Sequence, residues 1–355
     1  MSQNSNKEKF KEYTTDGRVK HLSSEDDINE KLGKIIGDKF IQYRKKWDAV
    51  NRMEIITDFP MFLQLDMNQE CNYECPHCII GHKEEVDEYY EGEYLNFNDF
   101  KKIVDEGAEY GCPSISPQGN NEPFLIKDLH KYFEYAHKKG FIDIMLNNNG
   151  SAMPKKKSQQ ILDSGITRIR FSLDAITPET YSAVRVGSIP LERVTKNIMD
   201  FLELKEKGGY KLPLVGVSFC KVKQNEHEVD RFIDFWRDKV DLISIQQFMP
   251  PTTNKEKYKK YYASDQYNEK PVEKFHCPQP YQRLTFRNEY MYPCCVSFNK
   301  DLNLGSFKKK TIYEAWNSEK MNILRGISKS GEFYKNKTCK DCVNLIFPPI
   351  DQPSN

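Results

Sequence analysis

The 355-residue chain reads as an α/β protein built on a parallel sheet. Three observations carry that reading. Strand-like segments alternate with segments whose apolar residues recur at helical spacing. A turn residue such as Gly111, Gly140, Gly165 or Gly209 closes most repeats. The alternation runs through six βα units, the pattern of parallel strands joined by crossover helices. Six units fit a partial TIM-type barrel or a doubly wound sheet.

The stretch to about residue 60 is polar and lysine-rich. Within it Ile28, Leu32, Ile35, Ile36 and Phe40 recur at helical spacing, which predicts a helical N-terminal extension over 1–60. The first strand is the run MFLQLDM at 61–67, followed by a cysteine-bearing loop and a helix over 98–110. Five further strands are expected at 113–118, 142–146, 167–173, 214–222 and 242–248, with helices at 127–139, 155–164, 191–207 and 226–240. In either architecture ligands sit at the carboxyl ends of the strands, so the loops after Met67, Gln118, Leu146, Leu173, Val222 and Phe248 matter most. These elements make one domain over 61–250. The charged, tyrosine-rich stretch 251–276 lacks apolar periodicity and reads as a linker or lid. A small cysteine-rich domain over 277–345 follows.

With 53 Lys+Arg against 52 Asp+Glu the net charge is +1, which provides no field to gather nucleic acid or an anionic membrane. Mean hydropathy is −0.74, and no apolar run approaches the roughly 18 residues of a membrane span. The opening MSQNSNKEKFKEY lacks the apolar core of a secretory signal. A cytoplasmic location is expected, where the ten cysteines stay thiols available for metal ligation.

Cys71, Cys75 and Cys78 form a Cys-x3-Cys-x2-Cys run in the loop after the first strand. Three thiolates within eight residues can cover one face of an iron-sulfur cluster and leave one iron open. A zinc site completed by His77 or His82 uses similar spacing. The run resembles the signature of the radical S-adenosylmethionine (SAM) superfamily in spacing, in its place after the first strand, and in the ring of His77 before the last cysteine. That resemblance implies a partial (β/α)6 barrel and a 4Fe-4S cluster on the three cysteines, with SAM chelating the open iron. It also implies a low-potential electron donor such as flavodoxin or ferredoxin, and cleavage of SAM to a 5′-deoxyadenosyl radical.

Further positions carry over singly. Asn120-Asn121-Glu122-Pro123 resembles the family's Gly-Gly-Glu-Pro segment, which contacts the SAM amino group, with asparagine in place of both glycines. Ser172-Leu173-Asp174 resembles the Ser-Leu-Asp strand end that faces the SAM carboxylate or ribose. Strand alternation sets Arg170, Ser172 and Asp174 opposite Phe171 and Leu173. Thr177 and Pro178 read as a helix start, and Arg185 matches an arginine that reaches toward the SAM carboxylate in many relatives.

In the tail, an Asn-containing turn brings Cys277 and Cys294 together, and Cys339-x2-Cys342 supplies a second pair. Four such ligands suit a zinc ribbon as readily as an iron-sulfur cluster. The order Cys277, Pro293-Cys294, Leu304-Gly305-Ser306, Trp316-Asn317 and Cys339-x2-Cys342 resembles the SPASM extension, which implies one auxiliary 4Fe-4S cluster on Cys277, Cys294, Cys339 and Cys342. Cys295 is then surplus.

A closed auxiliary cluster acts as an electron conduit, so the expected activity is dehydrogenation or epimerisation of a sugar-like or aminocyclitol-like small molecule. The extension before residue 60 reads as too short and too helical for the leader-binding domain of peptide-modifying relatives. A peptide substrate, receiving a thioether, cross-link or D-residue, is the alternative, with Cys220 beside Ser218 as hydrogen donor. A zinc-binding scaffold is the alternative from another class. Cys112 and Cys220 also read as packing residues, as do the substrate-contact candidates Gln246, Gln247, Lys221, Lys223, Tyr258, Tyr261 and Tyr262.

Overall fold

The computed structural model describes residues 11–15, 19–23, 27–85, 94–266, 272–296 and 298–347. Residues 1–10 of the opening stretch and 267–271 of the linker lie outside them. Six strands, β3 (Phe62–Asp66), β4 (Ser114–Ser116), β5 (Asp143–Asn148), β6 (Arg168–Ser172), β7 (Leu214–Lys221) and β8 (Leu242–Gln247), lie side by side in chain order, each parallel to the next. They are the six expected strands, within a few residues. Two short strands, β1 (Lys11–Thr15) and β2 (Val19–Ser23), extend the sheet beyond β8, and β9 (Arg283–Arg287) and β10 (Tyr290–Tyr292) extend it beyond β3.

Helices α1 (Ile28–Ile36) and α2 (Asp38–Asn51) precede β3. Helices α3 (Phe97–Glu109), α4 (Leu129–Lys138) and α5 (Lys155–Leu162) connect β3 through β6. After β6 come α6 (Pro178–Val184) and α7 (Leu191–Lys207), and α8 (Val229–Trp236) precedes β8. The expected helix at 226–240 is shorter, opening as a 3-10 turn over Glu226–Glu228. Helix α3 begins at a capping box in which Asn96 and Asp99 satisfy each other's backbone donors. Its buried face is Phe100, Ile103, Val104 and Gly107. A Cβ on Gly107 would stand 2.9 Å from Phe141 and 3.2 Å from Leu63, so glycine lets this helix close onto β3. Leu63 and Leu65 therefore face the helices, and the alternation turns Gln64 and Asp66 to the interior.

Three features differ from the sequence expectation. The N-terminal extension has its helices, but the hairpin β1–β2 comes first, and β2 pairs antiparallel with the edge strand β8, His21 opposite Ser244. The tail is continuous with the sheet, because β9 runs parallel to β3 with Gln64 opposite Thr285 and Asp66 opposite Arg287. Helix α11 (Ile312–Trp316) fixes it further: the Trp316 indole donates to Thr57 O at 2.6 Å. The stretch after β8 is anchored, with α9 (Lys255–Tyr258) carrying a fully buried Tyr258 and with Tyr262 Oη donating to Leu345 O at 2.9 Å. Tyr258 and Tyr262 are packing residues, while Lys221 pairs with Asp265 and Lys223 with Glu226. No helix among the described residues is long and apolar enough to cross a membrane.

The edge pairing carries a pH dependence. Burial first, then Arg170 and Arg168, lower the His21 pKa from its ordinary 6.5 to about 4, while its Nδ1 stands 2.9 Å from Ser244 Oγ. A group depressed on folding contributes stability above its unfolded pKa and loses it as pH falls. With the slower intrinsic exchange at low pH divided out, the protection of the β2 amides is therefore expected to fall between pH 6.5 and about 4 in the wild type, and a His21→Gln variant should lack that step. An equal step in both would exclude His21 as its source.

Candidate functional site

The loop after β3 carries Cys71, Cys75 and Cys78, folded tightly by Cys78 N donating to Cys75 O at 3.0 Å and Gly81 N to Cys78 O at 3.1 Å. A side chain at Gly81 would run into the Cys75 carbonyl, so the turn requires glycine. The thiols lie within electrostatic range of one another; burial is the main cause that pushes Cys71 up to about 11 and Cys78 up to about 12. Cys75 shifts the same way. Cys75 is buried and Cys71 and Cys78 are part-buried; thiols that burial keeps protonated are soft donors which a bound cation would deprotonate. Polar donors already point at them: Asn149 Nδ2 is 4.0 Å from Cys71 Sγ and Arg185 Nη1 is 3.8 Å from Cys75 Sγ.

Two of the three charged residues carried over for SAM contact, Asp174 and Arg185, are bound to each other. Arg185 Nη2 lies 2.5 Å from Asp174 Oδ2, which also takes a hydrogen bond from His77 Nε2 at 3.1 Å. Cys220 N donates to the other oxygen at 2.7 Å. Burial alone would raise the Asp174 carboxyl; Arg185 and then His77 overcome it and hold it below its ordinary value. Asp174 has φ 64°, in the left-handed region, at the turn where β6 gives way to α6. Thr177 caps α6 and Pro178 opens it, as the sequence indicates. His77 and His82, the alternative zinc ligands, bond elsewhere, His77 to Asp174 and His82 Nε2 to Pro76 O at 2.8 Å.

Glu122 is buried in the loop after β4, where it caps the 3-10 turn Pro123–Leu125. Its carboxylate accepts from Phe124 N at 3.1 Å and Asn149 N at 2.7 Å, and burial, outweighing those bonds, raises it to about 7. Ser172 faces the interior, 3.3 Å from Ser218 Oγ. Cys220 is half-buried, and its thiol lies in range of Asp174, Cys75 and Cys78, so the structure sets it beside the cysteine loop. Cys112 is a packing residue, its thiol donating to Ser114 O.

The interior wall is polar from β4 round to β2. Gln118 Oε1 accepts from Asn147, Asn147 Oδ1 from Arg170 Nε, each at 2.9 Å, and Arg170 Nη1 reaches Ser244 Oγ at 3.3 Å, beside His21. On the other side Ser116, Gln64 and Thr285 are in register across β4, β3 and β9. Ser116 and Thr285 are 3 % and 2 % exposed, and their hydroxyls and Gln64 Oε1 find no hydrogen-bond partner among the described residues. Sequence reasoning passed over these residues, although polar positions 64 and 66 in an otherwise apolar strand were a visible signal.

In the tail, Cys294 follows the β9–β10 hairpin, in range of Cys277 and Cys339. Cys339 and Cys342 lie one turn apart on α13 (Lys337–Ile346), and Asn336 caps that helix by accepting from Cys339 N at 3.0 Å. Burial again is the largest cause raising Cys294 and Cys339 to about 12. Cys295 is exposed and clipped by Gln279, whose Oε1 accepts from Cys295 N at 2.9 Å. The structure thus separates the vicinal thiols, one inward and one at the surface. Among the described residues no three His, Cys, Asp or Glu side chains converge on a single metal ion.

The sequence matches two family models, the radical SAM superfamily over residues 67–235 and SPASM, an iron-sulfur cluster-binding domain, over 277–343. A probable GTP 3′,8-cyclase of Methanococcus maripaludis is 29% identical over 187 residues, which span 53% of this chain and 58% of that protein. A GTP 3′,8-cyclase of Staphylococcus haemolyticus is 27% identical over 53% of this chain and 54% of its own. The chain thus spans a little over half the length of these curated relatives. Among solved structures, Streptococcus suis SuiB bound to S-adenosylmethionine superposes with TM-score 0.61 at 14% identity, covering 94% of this chain and 99% of that one. Native anSMEcpe with bound AdoMet and Cp18Cys peptide gives 0.55 at 15% identity over 79% and 87%. BtrN in complex with AdoMet and 2-DOIA gives 0.50 at 15% identity over 82% and 96%. These superpositions establish a common fold. The two matched domains together imply a SAM-binding 4Fe-4S cluster and auxiliary iron-sulfur clusters.

Proposed function

The chain belongs to the radical SAM superfamily and ends in a SPASM domain, and from that premise we propose that it oxidises a small polyhydroxylated metabolite, sugar-like or aminocyclitol-like. Cys71, Cys75 and Cys78 hold the SAM-binding cluster, and Cys277, Cys294, Cys339 and Cys342 an auxiliary one. Glu122, Ser172 and the Asp174–Arg185 pair surround SAM. When bound, the two clusters and SAM supply one-electron chemistry: removal of a hydrogen atom from the substrate and acceptance of the remaining electron.

The observation that carries the substrate class is the polar interior wall. A buried hydroxyl or amide left without a partner costs about 1–3 kcal/mol, so the row Ser116, Gln64 and Thr285 favours a ligand that brings its own hydroxyl or amine groups. Arg170, Asn147 and Ser244 hold a second set of polar groups opposite. Oxidation of such a carbinol to a carbonyl balances as loss of the C–H hydrogen as an atom, followed by loss of the O–H hydrogen as a proton while the remaining electron passes to the auxiliary cluster.

The test is anaerobic incubation of the reconstituted enzyme with SAM, dithionite and aminocyclitols or hexosamines deuterated at the carbinol carbons. Deuterium in 5′-deoxyadenosine together with a carbonyl product is expected. Deuterium transfer confined to serine- or cysteine-bearing peptides would overturn the small-molecule reading in favour of peptide modification.

A further inference from the structure

A buried polar chain links the two halves of the site and ends on a cysteine of the tail. Asn120 and Gly119, from the loop that precedes Glu122, close over Asp66, where a Cβ on Gly119 would stand 2.6 Å from the Asp66 Cβ. Asp66 Oδ2 lies 3.9 Å from Arg287 Nε, directly opposite it in the parallel ladder between β3 and β9. Arg287 Nη1 donates to Asn299 Oδ1 at 3.0 Å and Nη2 to Val296 O at 3.2 Å. That first bond decides which way the Asn299 amide faces. With its oxygen held by a guanidinium, its nitrogen is turned to Cys294, donating to the carbonyl at 2.9 Å and to Sγ at 3.4 Å. Asp66, Arg287 and Asn299 are 1 %, 3 % and 0 % exposed, so the orientation is held away from water.

We infer that Asn299, oriented by Arg287, is a positioning residue that raises the reduction potential of the auxiliary cluster through its N–H···S bond to Cys294. Hydrogen bonds to cluster sulfurs draw off thiolate charge and stabilise the reduced state, one of the main levers a protein has on such potentials. Arg287 makes the amide a donor by occupying its oxygen, and the strand register sets the Asp66 carboxyl opposite the guanidinium. This inference rests on Cys294 being a ligand, as proposed above.

The experiment is an anaerobic redox titration followed by EPR, with iron counted in each variant. In Asn299→Ala the auxiliary signal is expected to move negative by about tenfold in the reduction equilibrium, ~59 mV for a one-electron couple, with the SAM-site signal unmoved. Arg287→Met, which frees the amide to turn, should move it the same way by less. Asn299→Gln, which keeps a donor, should recover part of the shift. A fully loaded Asn299→Ala protein with an unshifted auxiliary potential would overturn the inference. If Asn299→Ala loses iron, the near-isosteric Asn299→Leu, which removes the donor and keeps the Arg287 charge, decides: a negative shift supports the inference, and an unshifted potential at full loading ends it. Retention of the auxiliary irons in Cys294→Ala would instead show that the ligand assignment has failed.

Discussion

Asp174→Ala is expected to destabilise the enzyme by about 3–5 kcal/mol, the cost of removing one partner from a buried ion pair. It is also expected to slow SAM cleavage by about 10–100-fold, the usual penalty for losing a group that orients a metal ligand's surroundings. Asp174 is 1 % exposed and meets Arg185, His77 and the Cys220 amide at once. Without it, the Arg185 guanidinium sits beside Cys75 with its charge uncompensated, and His77, immediately before Cys78, loses its anchor. Two comparisons separate charge from backbone. Because Asp174 has φ 64°, Asp174→Gly relieves the left-handed strain and should be less destabilising than Asp174→Ala by roughly 1 kcal/mol, while losing the same activity. Asp174→Asn keeps the shape but turns an amide group toward the guanidinium, and should also lose SAM cleavage. Since the carboxyl lies below its ordinary value, its contribution is present above the unfolded carboxyl pKa and disappears as pH falls below it. Denaturant unfolding and 5′-deoxyadenosine production measure the two effects. A cleavage rate that survives Asp174→Ala would show that the pair serves folding alone.

The parallel sheet and the cysteine loops were legible because both rest on local patterns: βα alternation over six units, and thiols at fixed spacing. The N-terminal hairpin was not, since KEYTT and VKHLS are short and mixed in polarity, and the hairpin joins the sheet only where VKHLS pairs with β8 far along the chain. The stretch after β8 misled for a related reason. Tyr258 packs on Phe248 and His82, and Tyr262 on Phe248 and Leu345 of the tail, and such scattered anchors leave no periodicity. The site divides in the same way. Asp174 and Arg185 were visible as matched positions, but their bond to each other was not, because it closes across α6. Asp66, Arg287 and Asn299 come together only once β9 lies parallel to β3, a long-range pairing that no window of sequence contains.

The tail offers the other large effect. Cys294→Ala is expected to lower iron from about eight to about four per chain, to leave SAM cleavage measurable, and to abolish substrate oxidation, by 100-fold or more if the auxiliary cluster is the electron acceptor. The neighbouring thiol is the natural objection, since Cys295 stands one residue away. The structure opposes that rescue: Cys295 N is bonded to Gln279 Oε1 at 2.9 Å, Gln279 Nε2 reaches Cys295 Sγ at 3.4 Å, and the side chain is exposed. Swinging it inward breaks both bonds and unseats Asn299 from the Cys294 carbonyl. Cys295→Ala should therefore keep its iron and its turnover, and the loaded wild type should offer Cys295 to a thiol reagent while Cys294 stays protected. The reverse outcome, iron lost in Cys295→Ala and retained in Cys294→Ala, would exchange the roles of the two cysteines. Loss of SAM cleavage together with oxidation in Cys294→Ala, at an intact far-UV spectrum, would mean that the tail supports the first cluster through the Asp66–Arg287 junction instead of accepting the substrate's electron.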